Sequence, residues 1–591
     1  MYSERLLGCS LILAAVILCG SCSKTQTRKV DRIAILPLEN LTSESAFDWI
    51  PGAAQNAVTR QLTGIGNTIA LSAPNTREAR LLRANRAVEA YLSADANLLR
   101  IHAVVEDLGH LKAESEIDIT GPRQKGVLPL LDRLSKAVNR EARPFSTTNA
   151  AAFESYAQGN FEEAVKLDPS FGAAYLNWLV VLRSKGEGEM GARVLSQARA
   201  QGAKINELDR AQIDVASVWL NPLDKGQRRA ALMNLAGIVK FDAQLMRDLS
   251  EAALVARNYK SAAEWLEKAA AIEPENTAIW NSMAYAYALD GDLSAAERSM
   301  TKYRKVAPED SNLSDSLGEI YYISGKFAEA EKSFLEGFQK NPQFFAGAEM
   351  YKAALSRLMT GDEKGATGLF EKYLEYKQSV NDRELELRRA IWEFLTGRRK
   401  VAMDRISKQP SARVSAQYSL MLLLSGDQPG ARKQADAAMQ PPVQDRLIAP
   451  IAQFLSSPAS SVQQWREMAD RYFGQQTPAV LKNQFLAYAL FIHKDYAEAA
   501  AILEKQVMDS SPLNDMFNKE MFAAALVASG RETDAQPLLT TYPIPEAGTE
   551  SALVSLVFPR LFETRAAVLE KQGKLAEAKS LRDLAAKFAP H

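Results

Sequence analysis

The stretch that decides the fold reads TAIWNSMAYAYALDGDLSAAERSMTKYRKVAPED at residues 277–310 and SNLSDSLGEIYYISGKFAEAEKSFLEGFQKNPQF at residues 311–344. Pro274, Pro308 and Pro342 recur at an interval of 34 residues, and alanine and glycine positions between them keep the same interval. A fixed period of this length is typical of a repeat whose single unit cannot bury its apolar face alone. The sequence therefore predicts a stacked array instead of one compact core.

Small and large side chains alternate along each block in a way that suits two packed helices. Small residues such as Ala284 and Gly318 let two helix axes approach closely, while Tyr287 and Phe334 fill the space between them. Proline closes each block because it cannot continue a helix. Each block therefore predicts a pair of antiparallel helices.

The two blocks resemble the tetratricopeptide (TPR) family, whose 34-residue unit is a helix–turn–helix. The first block carries the signature at Trp280, Ala284, Tyr287, Gly291, Ala296 and Pro308. Weaker copies extend the predicted array over residues 149–440 and 479–591, with an irregular helical break at residues 441–478. The resemblance implies a mostly helical solenoid with a concave surface that binds a protein partner.

In the TPR family, partners contact the first helix of each unit. Mapped onto the two clear blocks, this implies a partner-binding set of Asn281, Tyr285, Leu289, Asn312, Asp315, Glu319 and Tyr322. Aromatic, amide and carboxylate groups together suit an extended peptide or a basic protein partner. The alternative is that these side chains only solvate the groove or touch the domain that precedes the repeats.

Residues 30–148 predict a small α/β sandwich domain with the order β-α-β-α-β-β-β-α. The segments RIAILPLENL at residues 32–41 and LRIHAVVED at residues 99–107 resemble the TolB-N-terminal-like domain found beside TPR repeats in bacterial proteins. Asn75 is predicted to cap the second helix of this domain, since asparagine favours that position. The last three strands are predicted to form an antiparallel meander.

The amino terminus is predicted to be a targeting signal that is not part of the folded protein. An apolar stretch at residues 6–19 is followed by a small pair and then Cys22, which is the layout of a signal peptide. The cysteine resembles the lipobox of bacterial lipoproteins. The resemblance implies a cleaved signal peptide at 1–21, a lipid on Cys22, a tether at 22–29, and a membrane-anchored place in the bacterial cell envelope, on the periplasmic face of the outer membrane. An uncleaved anchor helix is the alternative.

Composition argues against several other classes of function. Lys plus Arg and Asp plus Glu are each 71, so no global positive field favours nucleic acid. All three cysteines lie within the first 22 residues, which leaves the remainder without a thiol for a disulfide or a metal. Metalloprotease, nucleophile-elbow and phosphate-loop motifs are absent from the sequence. We therefore expect no enzyme, no catalytic residue, no metal site and no cofactor.

These observations predict a lipid-anchored cell-envelope TPR scaffold that mediates protein–protein interaction. The alternative is a ligand-sensing or cell-wall-synthesis-regulating lipoprotein, in which the α/β domain binds a small molecule, a glycan or an enzyme.

Overall fold

The computed structural model describes residues 30–220, 225–408, 411–440, 448–459, 461–474, 477–513, 515–544 and 550–590. The chain divides into two compact units, the first ending at Leu220 and also including Gly237–Phe241, and the second formed by the remainder. Cys22, the predicted signal peptide and the tether lie outside the described residues. Within those residues, no helix combines the length and the apolar character needed to cross a membrane.

The first unit begins with a mixed β-sheet. Its strands are β1 (Asp31–Ile35), β2 (Glu39–Asn40), β3 (Thr68–Ser72), β4 (Arg86–Ala94), β5 (Leu98–Asp107) and β6 (Lys112–Pro122). The order across the sheet is β3-β1-β4-β5-β6, with β2 paired to β4. Strand β1 is parallel to β3 and β4, and β4, β5 and β6 form the antiparallel meander that the sequence predicts.

Alternation along the strands explains why one face of this sheet is buried. In β5, the alternate residues Leu99, Ile101, Ala103 and Val105 are buried, while Arg100 between them is exposed. Three helices accompany the sheet: α1 (Ile50–Leu62), α2 (Thr76–Leu81) and α3 (Leu128–Val138). The predicted cap is confirmed, because the Asn75 side chain accepts a hydrogen bond of 2.9 Å from the N–H of Glu78.

Five further helices complete the first unit. They are α4 (Ala150–Ala157), α5 (Phe161–Leu167), α6 (Gly172–Ser184), α7 (Gly188–Ala200) and α8 (Glu207–Leu220). Sheet residues such as Ile101 and helix residues such as Phe153 and Tyr175 belong to one continuous hydrophobic core. The predicted domain boundary at residue 148 therefore lies within a shared core.

The second unit is a TPR-type solenoid of paired helices, so the chain is mostly helical with a small α/β part before the array. Helix α9 (Lys225–Ile238) leads into it. The pairs are α10 (Ala243–Val255) with α11 (Tyr259–Ile272), α12 (Thr277–Asp290) with α13 (Leu293–Val306), α14 (Ser311–Ile323) with α15 (Phe327–Lys340), α16 (Ala348–Met359) with α17 (Glu363–Ser379), α18 (Leu385–Leu395) with α19 (Arg399–Ile406), α20 (Ala412–Leu424) with α21 (Gln428–Ala438), α22 (Ile448–Leu455) with α23 (Val462–Phe473), α24 (Ala479–Ile492) with α25 (Tyr496–Asp509), α26 (Met516–Ala528) with α27 (Glu532–Ala535), and α28 (Arg560–Lys571) with α29 (Leu575–Lys587).

Close helix contact in the pair α14–α15 depends on one glycine. A Cβ atom added to Gly318 would lie 2.5 Å from the ring of Phe334, which is fully buried. Gly291 ends α12 with φ of 86°, a left-handed conformation that glycine adopts without steric penalty. Small residues at crossings and glycine at turns thus act as the sequence predicts.

The second unit closes back on itself through its carboxy-terminal part. The Lys587 ammonium donates a hydrogen bond of 3.3 Å to the carbonyl of Gly361, 226 residues earlier. Residues 536–544 and 550–559, which we name the connecting segment, lie between α27 and α28. The N–H of Tyr542 donates to the carbonyl of Ile323 (2.9 Å), and the N–H of Ala552 donates to the side chain of Gln417 (3.0 Å). The chain therefore covers part of its own array.

Candidate functional site

A large cavity in the second unit is the strongest candidate for a binding site. Its volume is about 1170 Å³, just above the usual range of small-molecule sites. The cavity is lined by helices α14, α16, α20, α22, α24, α25, α26 and α28 together with the connecting segment. The aromatic part of the lining is Tyr322, Tyr351, Phe485, Tyr488, Phe517 and Phe558.

Two tyrosines on the cavity wall are almost completely buried. Tyr322 is 5% exposed and Tyr351 is 3% exposed, and neither hydroxyl has a hydrogen-bond partner among the described residues. Burial raises the pKa of both phenols, because the charged form is poorly solvated there. Both side chains are therefore neutral hydrogen-bond donors at ordinary pH.

The three carboxyl groups among the described lining residues are all bonded within the chain. Glu384 lies 3.1 Å from the guanidinium of Arg413. Glu550 pairs with Arg388 and also accepts a hydrogen bond from Tyr373. None of these glutamates is available as a free counter-ion for a ligand.

Asp515, the third carboxyl group, accepts hydrogen bonds from Ser510 and Asn518. Burial raises its pKa, which favours the neutral form. In contrast, Arg383 lines the cavity, is exposed, and has no ion pair with any described residue. The buried Oε1 of Gln506 likewise accepts no hydrogen bond from the part of the chain that is described.

Three of the predicted partner-binding residues meet around a lysine that the sequence analysis missed. The ammonium of Lys352 lies 2.8 Å from a carboxylate oxygen of Asp315 and 2.6 Å from one of Glu319. The hydroxyl of Tyr285 donates to the other oxygen of Glu319. These carboxylates therefore already hold an internal cation instead of offering free charge to a basic partner.

A detectable signal for this lysine exists in the sequence. Lys352 stands in the run AEMYKAALSRLM of helix α16, and a lysine in so apolar a run indicates a buried partner. Burial lowers the pKa of Lys352, but Glu319 and Asp315 outweigh this effect and raise it. Burial raises the pKa of Asp315 to about 6 against the attraction of Lys352.

Glu349, on the same helix, is fully buried beside this cluster. Neither of its carboxyl oxygens has a hydrogen-bond partner among the described residues. Burial raises its pKa to about 7, with a further contribution from the charge of Asp315. Glu349 is therefore partly protonated near neutral pH.

The other four predicted residues have separate surroundings. Asn312 donates a hydrogen bond of 3.2 Å to the hydroxyl of Tyr303, and Leu289 is buried in the helical core. The Oδ1 of Asn281 is buried without a partner among the described residues. Tyr322 alone of the seven lines the cavity. A role of the set in partner binding stays a prediction.

No group of three or more His, Cys, Asp or Glu side chains arranged to hold a metal ion occurs in the described ranges. The cavity instead offers apolar surface, neutral hydroxyl donors and one unpaired cation. Such an arrangement can bind a ligand, and none of the described contacts activates a nucleophile.

Comparisons with solved structures return helical proteins at low similarity. Naa15/Naa10 bound to HypK-THB is 14% identical over 73% of this chain and 74% of that one, with a TM-score of 0.29. The TPR domain of P58(IPK) is 17% identical over 58% and 92%, with a TM-score of 0.17. The APC/C hetero-tetramer Cut9-Hcn1 is 11% identical over 65% and 80%, with a TM-score of 0.27.

Neither a protein-family model nor a curated protein matches this sequence. At such scores the solved structures say nothing about a partner or a site. The description of the second unit as a TPR-type solenoid rests on its own helix pairs and on the interval of 34 residues.

Proposed function

We propose that this chain is a non-enzymatic scaffold of the bacterial cell envelope, anchored by a lipid on Cys22, whose second unit binds a protein partner. The observation that carries the proposal is the cavity of about 1170 Å³ among the paired helices. Helical repeats commonly present such concave surfaces to other proteins.

The rim of the cavity supports contact with a partner. Val480 lines the cavity and is 63% exposed, although it is a large apolar residue. Exposed apolar groups next to a concave site favour an interaction surface, because a partner removes them from water. Arg383 adds a charged group that can give the contact specificity.

The anchor is supported by the sequence alone. Cys22 follows a small pair of residues at the end of an apolar stretch, as in the lipobox of bacterial lipoproteins. The TolB-N-terminal-like resemblance of residues 32–41 agrees with an envelope protein that joins an α/β domain to repeats. Several acyl chains on one cysteine give stable anchoring, whereas a single chain is marginal.

Site-specific photocrosslinking in intact cells tests the partner. A photoreactive phenylalanine derivative at Val480 is expected to give a discrete adduct with one protein. The matched control is the same replacement at Leu575, which is 67% exposed and does not line the cavity. Identical adduct patterns at both positions, or no adduct at Val480, would contradict the proposal.

Metabolic labelling tests the anchor. An alkyne-bearing fatty acid is expected to label the full chain, and Cys22→Ser is expected to remove the label and release the protein from membranes. Cys19→Ser serves as the control, because it changes a neighbouring cysteine that is not predicted to carry lipid. Retention of the label in Cys22→Ser would reject the anchor at this residue.

A further inference from the structure

Two hydroxyl groups in the cavity lack the bonds that buried hydroxyls normally make. Tyr322 and Tyr351 are at least nine-tenths buried, line the cavity, and have no hydrogen-bond partner among the described residues. A buried tyrosine hydroxyl usually finds a partner, because an unpaired one is unfavourable. The molecule that fills the cavity is therefore expected to supply oxygen acceptors.

The other residues of the cavity wall indicate whether water or a ligand fills the cavity. Much of it is apolar, with Leu355, Ile451, Phe485, Phe517, Val554 and Leu561. Polar side chains such as Gln484 and Gln506 interrupt this apolar surface, and water that fills the cavity must lie against the apolar remainder. A ligand with a long apolar part removes this surface from water, so the lining favours a ligand over solvent.

Charge narrows the class of ligand further. Glu384 and Glu550 are paired with arginines, and Asp515 is hydrogen-bonded, so the described part of the lining offers no free anion to a cationic ligand. Arg383 is a cation with no ion pair among the described residues. The cavity therefore suits a ligand that carries a single negative charge.

We propose that the cavity binds an amphiphile with one acyl chain and a singly negative head group. The apolar wall holds the chain, Arg383 attracts the negative charge, and the hydroxyls of Tyr322 and Tyr351 donate to oxygen atoms of the ligand. A free fatty acid and a lysophospholipid share this chemistry. The inference goes beyond the proposed function, because the partner protein is expected at the rim and the amphiphile inside.

Displacement of a fluorescent fatty acid tests this proposal. The Cys22→Ser chain, which would carry no acyl group of its own, is titrated with 11-(dansylamino)undecanoic acid. Palmitate and lysophosphatidylglycerol are then added as separate competitors, and their relative potency distinguishes the two sources. Saturable binding of one dye molecule per chain and its displacement by at least one competitor are expected.

Three substitutions connect the binding to the named side chains. Tyr322→Phe and Tyr351→Phe are each expected to weaken the displacing amphiphile about threefold to tenfold, as for loss of a neutral hydrogen bond. Because these hydroxyls have no partner in the described chain, the fold is expected to tolerate their removal. Arg383→Gln is expected to weaken palmitate but not 1-hexadecanol, which has the same chain without the charge.

The control is Tyr287→Phe, since the Tyr287 hydroxyl bonds to Glu267 and does not line the cavity. Absence of saturable displacement by either amphiphile would overturn the proposal, as would unchanged affinity in all three variants. Displacement by an apolar peptide amide but not by the amphiphiles would assign the cavity to a peptide instead. The photocrosslinking result at Val480 is independent of each outcome, so failure of one proposal is distinguishable from failure of the other.

Discussion

The ammonium of Lys352 lies 2.8 Å from the carboxylate of Asp315, and both side chains are buried. The lysine comes from α16 and the aspartate from α14, so the bond joins two successive helix pairs. Glu319 and Tyr285 extend the contact into a network. The interior of the array is therefore held by charge as well as by apolar packing.

Removal of Lys352 is expected to destabilise the second unit. Lys352→Met leaves the buried carboxylate of Asp315 and the partly buried one of Glu319 without their cation. Breaking a buried pair in this way typically costs about 3–5 kcal/mol. Chemical denaturation followed by circular dichroism measures the change. Lys332→Met is the control, since Lys332 is exposed and a change within about 0.5 kcal/mol is expected there. Equal effects of the two variants would argue against a stabilising role of the pair.

Glu349 is expected to make stability fall as the pH rises. Its pKa in the folded chain is about 7, above the ordinary value of 4.5, so the folded state binds more protons between these values. This loss of folding stability begins near pH 4.5 and is complete above about pH 7. Glu349→Gln is expected to stabilise the protein by about 2–3 kcal/mol at pH 8 and to have little effect at pH 4. Melting curves at several pH values measure this, and an unchanged pH profile would contradict it.

Gly318 is expected to tolerate no larger side chain. The Cβ of Gly318→Ala would meet the Phe334 ring at 2.5 Å, and overpacking of this kind costs about 1–3 kcal/mol. Gly368→Ala is the matched control at an exposed position of helix α17, where a Cβ meets nothing within 4 Å. That change is expected to stabilise by about 0.5–1 kcal/mol, because alanine favours helix. Thermal unfolding of both variants compares them, and the same sign in both would refute the packing argument.

Two arginine–glutamate pairs, each with two hydrogen bonds, allow the effect of burial on stability to be compared. Arg565 donates two hydrogen bonds of 2.7 Å to Glu520 in the interior, whereas Arg582 makes a similar pair with Glu570 at the surface. Arg565→Met is expected to cost about 3–5 kcal/mol, and Arg582→Met less than about 1 kcal/mol. Equilibrium unfolding by urea measures both.

Replacing both members of the buried pair by methionine is expected to recover part of the loss. The double variant removes the isolated charge of Glu520 that Arg565→Met leaves behind. If the double variant were as unstable as Arg565→Met alone, the loss would have to come from packing and not from charge.

Short-range pattern was sufficient to predict the two clearest helix pairs. Helices α12 and α14 begin at residues 277 and 311, where the repeated blocks begin. Apolar spacing, turn glycines and terminal prolines act within one unit, so the residues of each unit specify its own helix pair. The meander of the last three strands and the asparagine cap of α2 followed from the same local signals. The short strand β2 and the position of β1 between β3 and β4 did not, because strand pairing is not local.

The binding features depended on contacts that no local pattern encodes. Asp315 and Glu319, two of the predicted partner-binding residues, bond to Lys352, and the cavity forms only where distant helices meet the connecting segment. Tyr542 reaches Ile323, and Glu550 reaches Arg388, across intervening helix pairs. The sequence by itself determined the repeated helix pair, because neighbouring residues specify it. Only the tertiary structure decided which side chains are paired and which line the cavity, because burial and charge pairing depend on the packing of the whole second unit.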